Sequence, residues 1–335
     1  MDEPSRKRVT SFDVARKAGV SRSAVSRAFS EKAVISETTR KKVLEAAKEL
    51  GYSVNFMARS LQTRHSNLVG IVVSALDTPF RATQVKVAAQ EFVRQGFRPI
   101  LMNAETSEEV EKLSAQLFNY NVAGILVTSA TPPSTIIGEC NRLSIPIVLV
   151  NRGSEVEGVD NVQMDIEQAG QIAFDMLTRS NATSLAVVHP QTTSYSVTGR
   201  AQAFVETCRS NGVAVTEFLS PGQTYTAGAE IADQIAKARD KFSGVFCSTD
   251  TLAFGVMDEL RHTHGLSIPA DLEIIGCDDV EQASWASYQL STIRQDSTAQ
   301  SIAAVDLMLK RIKNPAEQGQ TIVQSVTSVY RNTTR

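Results

Sequence analysis

The stretch Val9-Thr10-Ser11-Phe12-Asp13-Val14-Ala15-Arg16-Lys17-Ala18-Gly19-Val20-Ser21-Arg22-Ser23-Ala24-Val25-Ser26-Arg27-Ala28-Phe29 holds two helix starts close together. Thr10 is placed to cap the first, with Asp13 three residues on reaching back to close a capping box. Val14, Ala15 and Ala18 then share one face. Gly19-Val20 breaks the period, and Ser21 caps a second helix expected to run to about Phe29. Two helices joined by so tight a turn read as helix-turn-helix. At roughly 100° per residue, Arg22, Ser23, Ser26, Arg27 and Ser30 fall in one arc of about 140°, opposite Ala24, Val25, Ala28 and Phe29. An ordinary amphipathic helix explains the apolar arc, but not the Arg/Ser-only outer face beside a tight turn. Arginine forks onto guanine O6 and N7, and serine serves donors, acceptors or phosphates, so this face is fitted to read duplex DNA.

Working outward, Ser36-Glu37 opens a third helix through Val43, Leu44, Ala47 and Leu50, and Gly51 ends it. Asn55 then caps a piece of two turns, with Ala58, Arg59, Leu61 and Gln62 as its expected DNA-facing residues. So short a helix is marginal in water and is expected to need DNA or a second copy to hold it. Leu61 has two readings, an apolar wedge entering the minor groove or a side chain docked on the rest of the molecule.

The charge agrees with this division. The 335 residues carry 34 Lys/Arg against 36 Asp/Glu, yet residues 1–65 hold 14 against 7 and the remainder 20 against 29, a basic head of +7 on an acidic body of -9. Such asymmetry suits a head that meets a polyanion. Hydrophobic residues make up 42%, which excludes a disordered chain. No apolar run reaches the ~20 residues of a membrane span, and the first residues lack the apolar stretch of a secretory signal. An intracellular protein without a membrane partner is expected. Cys140, Cys208, Cys247 and Cys277 form no CxxC pair, so buried reduced thiols are expected and no metal site.

From residue 66, β-rich runs alternate with helical patterns: 68–75, 100–104, 124–129, 145–151, 185–189, 213–219, 245–248 and 273–277. This alternation implies parallel sheets wrapped by helices, with ligands outside the carboxyl ends of the strands. There is no GxGxxG after the first strand, no P-loop and no GxSxG, and no nucleophile and base stand at suggestive spacing. Neither catalysis nor a cofactor is expected.

The run from Val9 to Ser21, then Ala24-Val25-Ser26-Arg27, then Asn55 to Leu61, resembles the lactose-repressor (LacI/GalR) family. The body echoes it at Pro79-Phe80, Asn151-Arg152, Arg200 with Ala203-Phe204, Asp250 with Ala253-Gly255, and Gly276-Cys277-Asp278-Asp279 leading to Leu290 through Gln295. The resemblance implies an all-α helix-turn-helix head (1–53), a hinge helix and linker (54–65), and a periplasmic-binding-protein-like α/β body (66–335). Its lobes are expected at about 66–164 with 296–320, and 165–295 with 321–335. It further implies a homodimeric repressor on near-palindromic operator DNA, controlled by a small effector. Arg22, Ser23 and Arg27 fall at the family's base-reading positions, joined in the expected DNA set by Thr10, Ser21, Ser26 and Ser30. Phe80, Arg81, Asn151, Arg200, Thr249 and Asp278 would line the effector cleft.

Val54 stands where the family usually has proline. Arg81 replaces a frequent aromatic, Thr249 a frequent asparagine, and Gln223 an aromatic that often stacks on a sugar. These changes argue against a neutral hexose. A hydroxylated, sugar-like and acidic metabolite suits both the arginines and Asp278, unless Arg81 points away from the cleft. Trp285 is placed either to cover the cleft or to plug the hinge between lobes. The alternative reading, a solute-binding protein for a transporter, requires export and leaves the head unexplained.

Overall fold

The computed structural model describes residues 9–29, 34–52, 66–128, 134–153, 159–179, 182–191 and 195–335. The chain divides into two compact units, Met1–Ser66 and Asn67–Arg335.

The first unit contains α1 (Ser11–Ala18), α2 (Arg22–Ala28) and α3 (Glu37–Leu50). The caps do what their residue types dictate. Asp13 Oδ2 accepts from the Thr10 N–H at 3.0 Å and from its hydroxyl at 2.7 Å, and Ser21 and Ser36 accept from the N–H groups of Ala24 and Thr39. Gly19 sits at φ 65°, a left-handed turn that a Cβ would strain, and this lets α2 start three residues later. Val14, Ala15, Val25, Ala28, Val43, Ala46 and Ala47 form the core, with Phe29 and Tyr52 packed at its edge, ring centroids 5.8 Å apart.

The second unit has two lobes. The first lobe's chain runs β1 (Leu68–Val73), α4 (Pro79–Arg94), β2 (Arg98–Asn103), α5 (Ser107–Asn119), β3 (Ile125–Val127), α6 (Ser134–Arg142), β4 (Ile147–Val150) and β5 (Asp160–Met164). The second continues with α7 (Ile166–Thr178), β6 (Ser184–Pro190), α8 (Val197–Ser210), β7 (Ala214–Ser220), α9 (Tyr225–Ala238), β8 (Gly244–Cys247), α10 (Asp250–His262), β9 (Glu273–Asp278) and β10 (Ser291–Arg294). The chain returns through α11 (Ser297–Lys313) and β11 (Thr321–Gln324), then ends with β12 (Thr327–Val329).

One sheet has the order β11-β5-β4-β3-β1-β2 and is parallel throughout; the other, β12-β10-β9-β8-β6-β7, is parallel except for β12 against β10. The backbone passes between the lobes three times, at 164–166, 294–297 and 324–327. The last crossing corrects the expected boundary at 320/321: Thr321 to Gln324 pair with Asn161 to Met164, so this strand completes the first sheet before the chain leaves it.

Each lobe is held by apolar side chains on both faces of its sheet. Phe204 and Phe246 meet edge-on with centroids 5.3 Å apart inside the second. There α9 and α10 cross with backbones nearly touching, and a Cβ on Gly255 would fall on the carbonyl of Tyr225. The four cysteines are free and buried, and burial pushes the Cys140 and Cys208 thiols up to about 12. Among the described residues no helix is long and apolar enough to cross a membrane and no cluster of potential metal ligands occurs.

Candidate functional site

On the head, Arg22, Ser23, Ser26 and Arg27 are exposed while Val25 and Ala28 are buried. The Arg22 guanidinium lies over the Phe12 ring, 3.9 Å from its centroid, Arg27 Nε donates to the Ser23 carbonyl at 3.4 Å, and the Ser21 and Ser23 hydroxyls are 2.8 Å apart. Phe12 is itself 57% exposed. It therefore braces an arginine rather than filling the core, a contact the helical pattern did not signal. Ser30, Asn55, Ala58, Arg59, Leu61 and Gln62 lie outside the described residues.

In the body, the strand ends of both lobes meet in a polar network. Asn151 follows β4 with φ 54°; its Nδ2 donates to Gln295 and Gln300, each at 3.1 Å, while its Oδ1 accepts from Met164 N–H. Gln295 Nε2 donates to Asp278 Oδ1 at 2.6 Å, and Gln84 Nε2 to Gln300 Oε1 at 2.8 Å. Asp278 also receives Arg200 Nη1 at 3.1 Å, and Arg81 Nη1 reaches Gln84 at 2.8 Å. The chain Arg200–Asp278–Gln295–Gln300–Gln84–Arg81 thus ties the second lobe to the first, and Arg81 is turned inward onto it. Burial pushes the Asp278 carboxyl up, against the pull of Arg200.

The neighbouring Asp250 is fully buried and accepts from Thr292 Oγ1 and Val280 N–H; burial and the charge of Asp278 push its carboxyl up. Phe80 leaves the first lobe to pack against the second lobe's core. Beside it a cavity of about 600 Å³ opens between Pro79, Thr83 and Lys86 on one side and Asp278–Gln282 and Arg294–Ser297 on the other.

Other expected cleft residues are placed differently. Thr249 is buried as the cap of α10, its hydroxyl accepting from Leu252 N–H at 3.2 Å. Gln223 precedes the capping Thr224, and Trp285 is 49% exposed. Among the described residues neither lends a side-chain hydrogen bond to the network. Gln84 and Gln300, which complete it, carried no signal in the sequence beyond Gln84 lying three residues after Arg81 on one helix face.

A helical head offering arginines and hydroxyls, carried on a two-lobed α/β body with a polar cleft, defines a ligand-responsive DNA-binding regulator. Residues 12–55 match the bacterial regulatory proteins of the lacI family, and residues 174–334 the periplasmic binding protein-like domain. Head and body thus each resemble parts of the lacI family of transcriptional regulators.

It is 29% identical over 327 residues to the HTH-type transcriptional repressor PurR of Vibrio campbellii, covering 96% of this chain and 98% of that one. With the PurR of Pasteurella multocida it shares 26% over 318 residues, covering 92% and 94%. The fold matches that of the lac repressor dimer bound to operator and the anti-inducer ONPF, with a TM-score of 0.87 at 23% identity over 98% of this chain and 99% of that chain. A LacI-family regulator of Enterococcus faecalis with bound ribose matches at 25% identity and a TM-score of 0.73, over 80% and 98%. These relatives are DNA-binding transcriptional regulators and not enzymes.

Proposed function

We propose that two copies of this chain hold the halves of a near-palindromic operator, and that a small hydroxylated, sugar-like metabolite in the body's cleft sets the strength of that hold. Arg22, Ser23, Ser26 and Arg27 meet base edges and phosphates, with Thr10, Ser21 and Ser30 at the rim. Asn55, Ala58, Arg59, Leu61 and Gln62 enter the minor groove, Leu61 as the wedge. The observation that carries the DNA reading is the exposed Arg/Ser face directly opposite the packed Val25 and Ala28.

On the effector side, among the described residues Asp278 uses only Oδ1, for Arg200 and Gln295, so Oδ2 remains to accept from a ligand hydroxyl. Phe80 supplies an apolar face beside it. Closure of the lobes on the ligand changes the spacing of the two heads, a coupling of about 1–3 kcal/mol in such systems, and DNA changes effector affinity by the same factor.

Binding-site selection followed by gel shift in a salt series tests the DNA reading. Affinity falls steeply as salt rises, and Arg22→Ala relaxes the preference at one operator position by about 1–3 kcal/mol. An unchanged preference removes Arg22 from base reading. Melting of the full chain against sugars, sugar acids and sugar phosphates tests the effector, since a bound ligand raises apparent stability by mass action.

A further inference from the structure

Arg200 and Arg81 end the polar network that joins the lobes, Arg152 lies close enough to Arg81 for its charge to be felt there, and their partners separate the three. Arg200 is answered by Asp278 at 3.1 Å. Arg81 has the neutral Gln84 Oε1, and Arg152 the Thr128 carbonyl at 2.8 Å, while Arg152 Nε is buried with no partner among the described residues. Among the described residues no carboxylate lies within ion-pairing distance of either guanidinium. Burial, then the charge of Arg152, holds Arg81 down to about 9, with Asp278 and Glu105 acting in the opposite direction; burial takes Arg152 to about 10.

Neither acid pairs with them. Asp278 is committed to Arg200, and the exposed Glu105 accepts from Ala75 N–H and Asn103 Nδ2. Two desolvated like charges side by side are costly without a counter-ion. Arg81 also sits in the first turn of α4, whose opening N–H groups have no intrahelical acceptor, and the Thr78 hydroxyl turns away to Ala75 O instead of capping them.

We propose that the cleft is built to receive an anion, a carboxylate or phosphate group of the effector seated between the guanidinium groups of Arg81 and Arg152 at the amino end of α4. This deepens the effector reading given above and rests on it only for the hydroxylated remainder of the ligand. Two arginine forks and a helix start match three anionic oxygens or a planar carboxylate, and the bound group supplies the charge that the described residues lack. Arg152 thereby takes the place that sequence alone gave to Arg200, which is the partner of Asp278.

The test uses the full chain at constant ionic strength. Inorganic phosphate and acetate, against chloride, probe the seat directly; glucose, gluconate and glucose 6-phosphate probe the scaffold. Phosphate or acetate is expected to raise the body's melting temperature in the native chain but not in Arg81→Gln or Arg152→Gln, with operator binding of both variants as the control for folding. Gluconate or glucose 6-phosphate is expected to bind at least tenfold more tightly than glucose, and Arg81→Gln to erase that advantage. Which of the two wins assigns carboxylate or phosphate.

Shifts by phosphate and acetate that are absent, or equal in the variants, overturn the anion seat. Equal binding of glucose and its two anionic derivatives overturns it while leaving the hydroxylated effector standing. An anion shift that depends on both arginines, with all three sugars silent, keeps the seat and removes the sugar-like scaffold.

Discussion

The head and the body are stabilised differently. Among the described residues the head's fully buried side chains are seven valines and alanines, with Phe29, Ile35, Leu50 and Tyr52 partly buried around them, and its helices are set by caps three residues away in sequence. The body fills its lobes with Phe, Leu, Ile and Met, and ties them by bonds between residues as distant as Gln84 and Gln300. Local chemistry is therefore enough to shape the reading surface, whereas the cleft exists only after the chain has crossed between the lobes.

The sharpest way to break this contrast is in the body. Arg200→Ala leaves Asp278 buried and unanswered, and is expected to cost about 3–5 kcal/mol; calorimetry should show the body's transition falling while the head's stays. A shared fall would mean that the two units do not unfold separately. Next, Gly255→Ala forces α9 and α10 apart at the Tyr225 carbonyl, an overpacking cost of about 1–3 kcal/mol. Urea unfolding with an unchanged midpoint would show that the crossing yields freely. Smallest is Ser21→Ala in the head, about 1 kcal/mol through loss of the bond to Ala24 N–H. Its effect belongs in the head's helical signal and in operator affinity, with ligand binding untouched.

The same contrast explains what could be read in the sequence. Thr10, Asp13, Gly19, Ser21, Ser36 and Gly51 act within a few residues of themselves, and each is found at the cap or turn its type implies. In the body, apolar strands such as Leu68–Val73 and Glu273–Asp278 stand out by composition. The strand Asp160–Met164 does not, because Asp160, Asn161 and Gln163 are buried polar residues. They are tolerated by partners that no helix or strand period reveals: the distant Arg311 for Asp160, and the Arg152 carbonyl across the preceding loop for Asn161 and Gln163. The meeting of the lobes was legible at Asn151, Arg200 and Asp278, which join its polar network, and at Phe80, which lines the cavity beside it. The glutamines that link them were hidden because amides announce no periodicity. Thr249 was read as a ligand contact, but a threonine just before a helix has a nearer use.

The three passages of backbone between the lobes have a mechanical consequence. Side-by-side tethers of one or two residues let the lobes swing about one line but resist twist and shear, so opening has a single coordinate. A lever with one degree of freedom transmits a sub-ångström displacement at its fulcrum as a larger, directed movement at its far edge, without the lobes themselves having to deform.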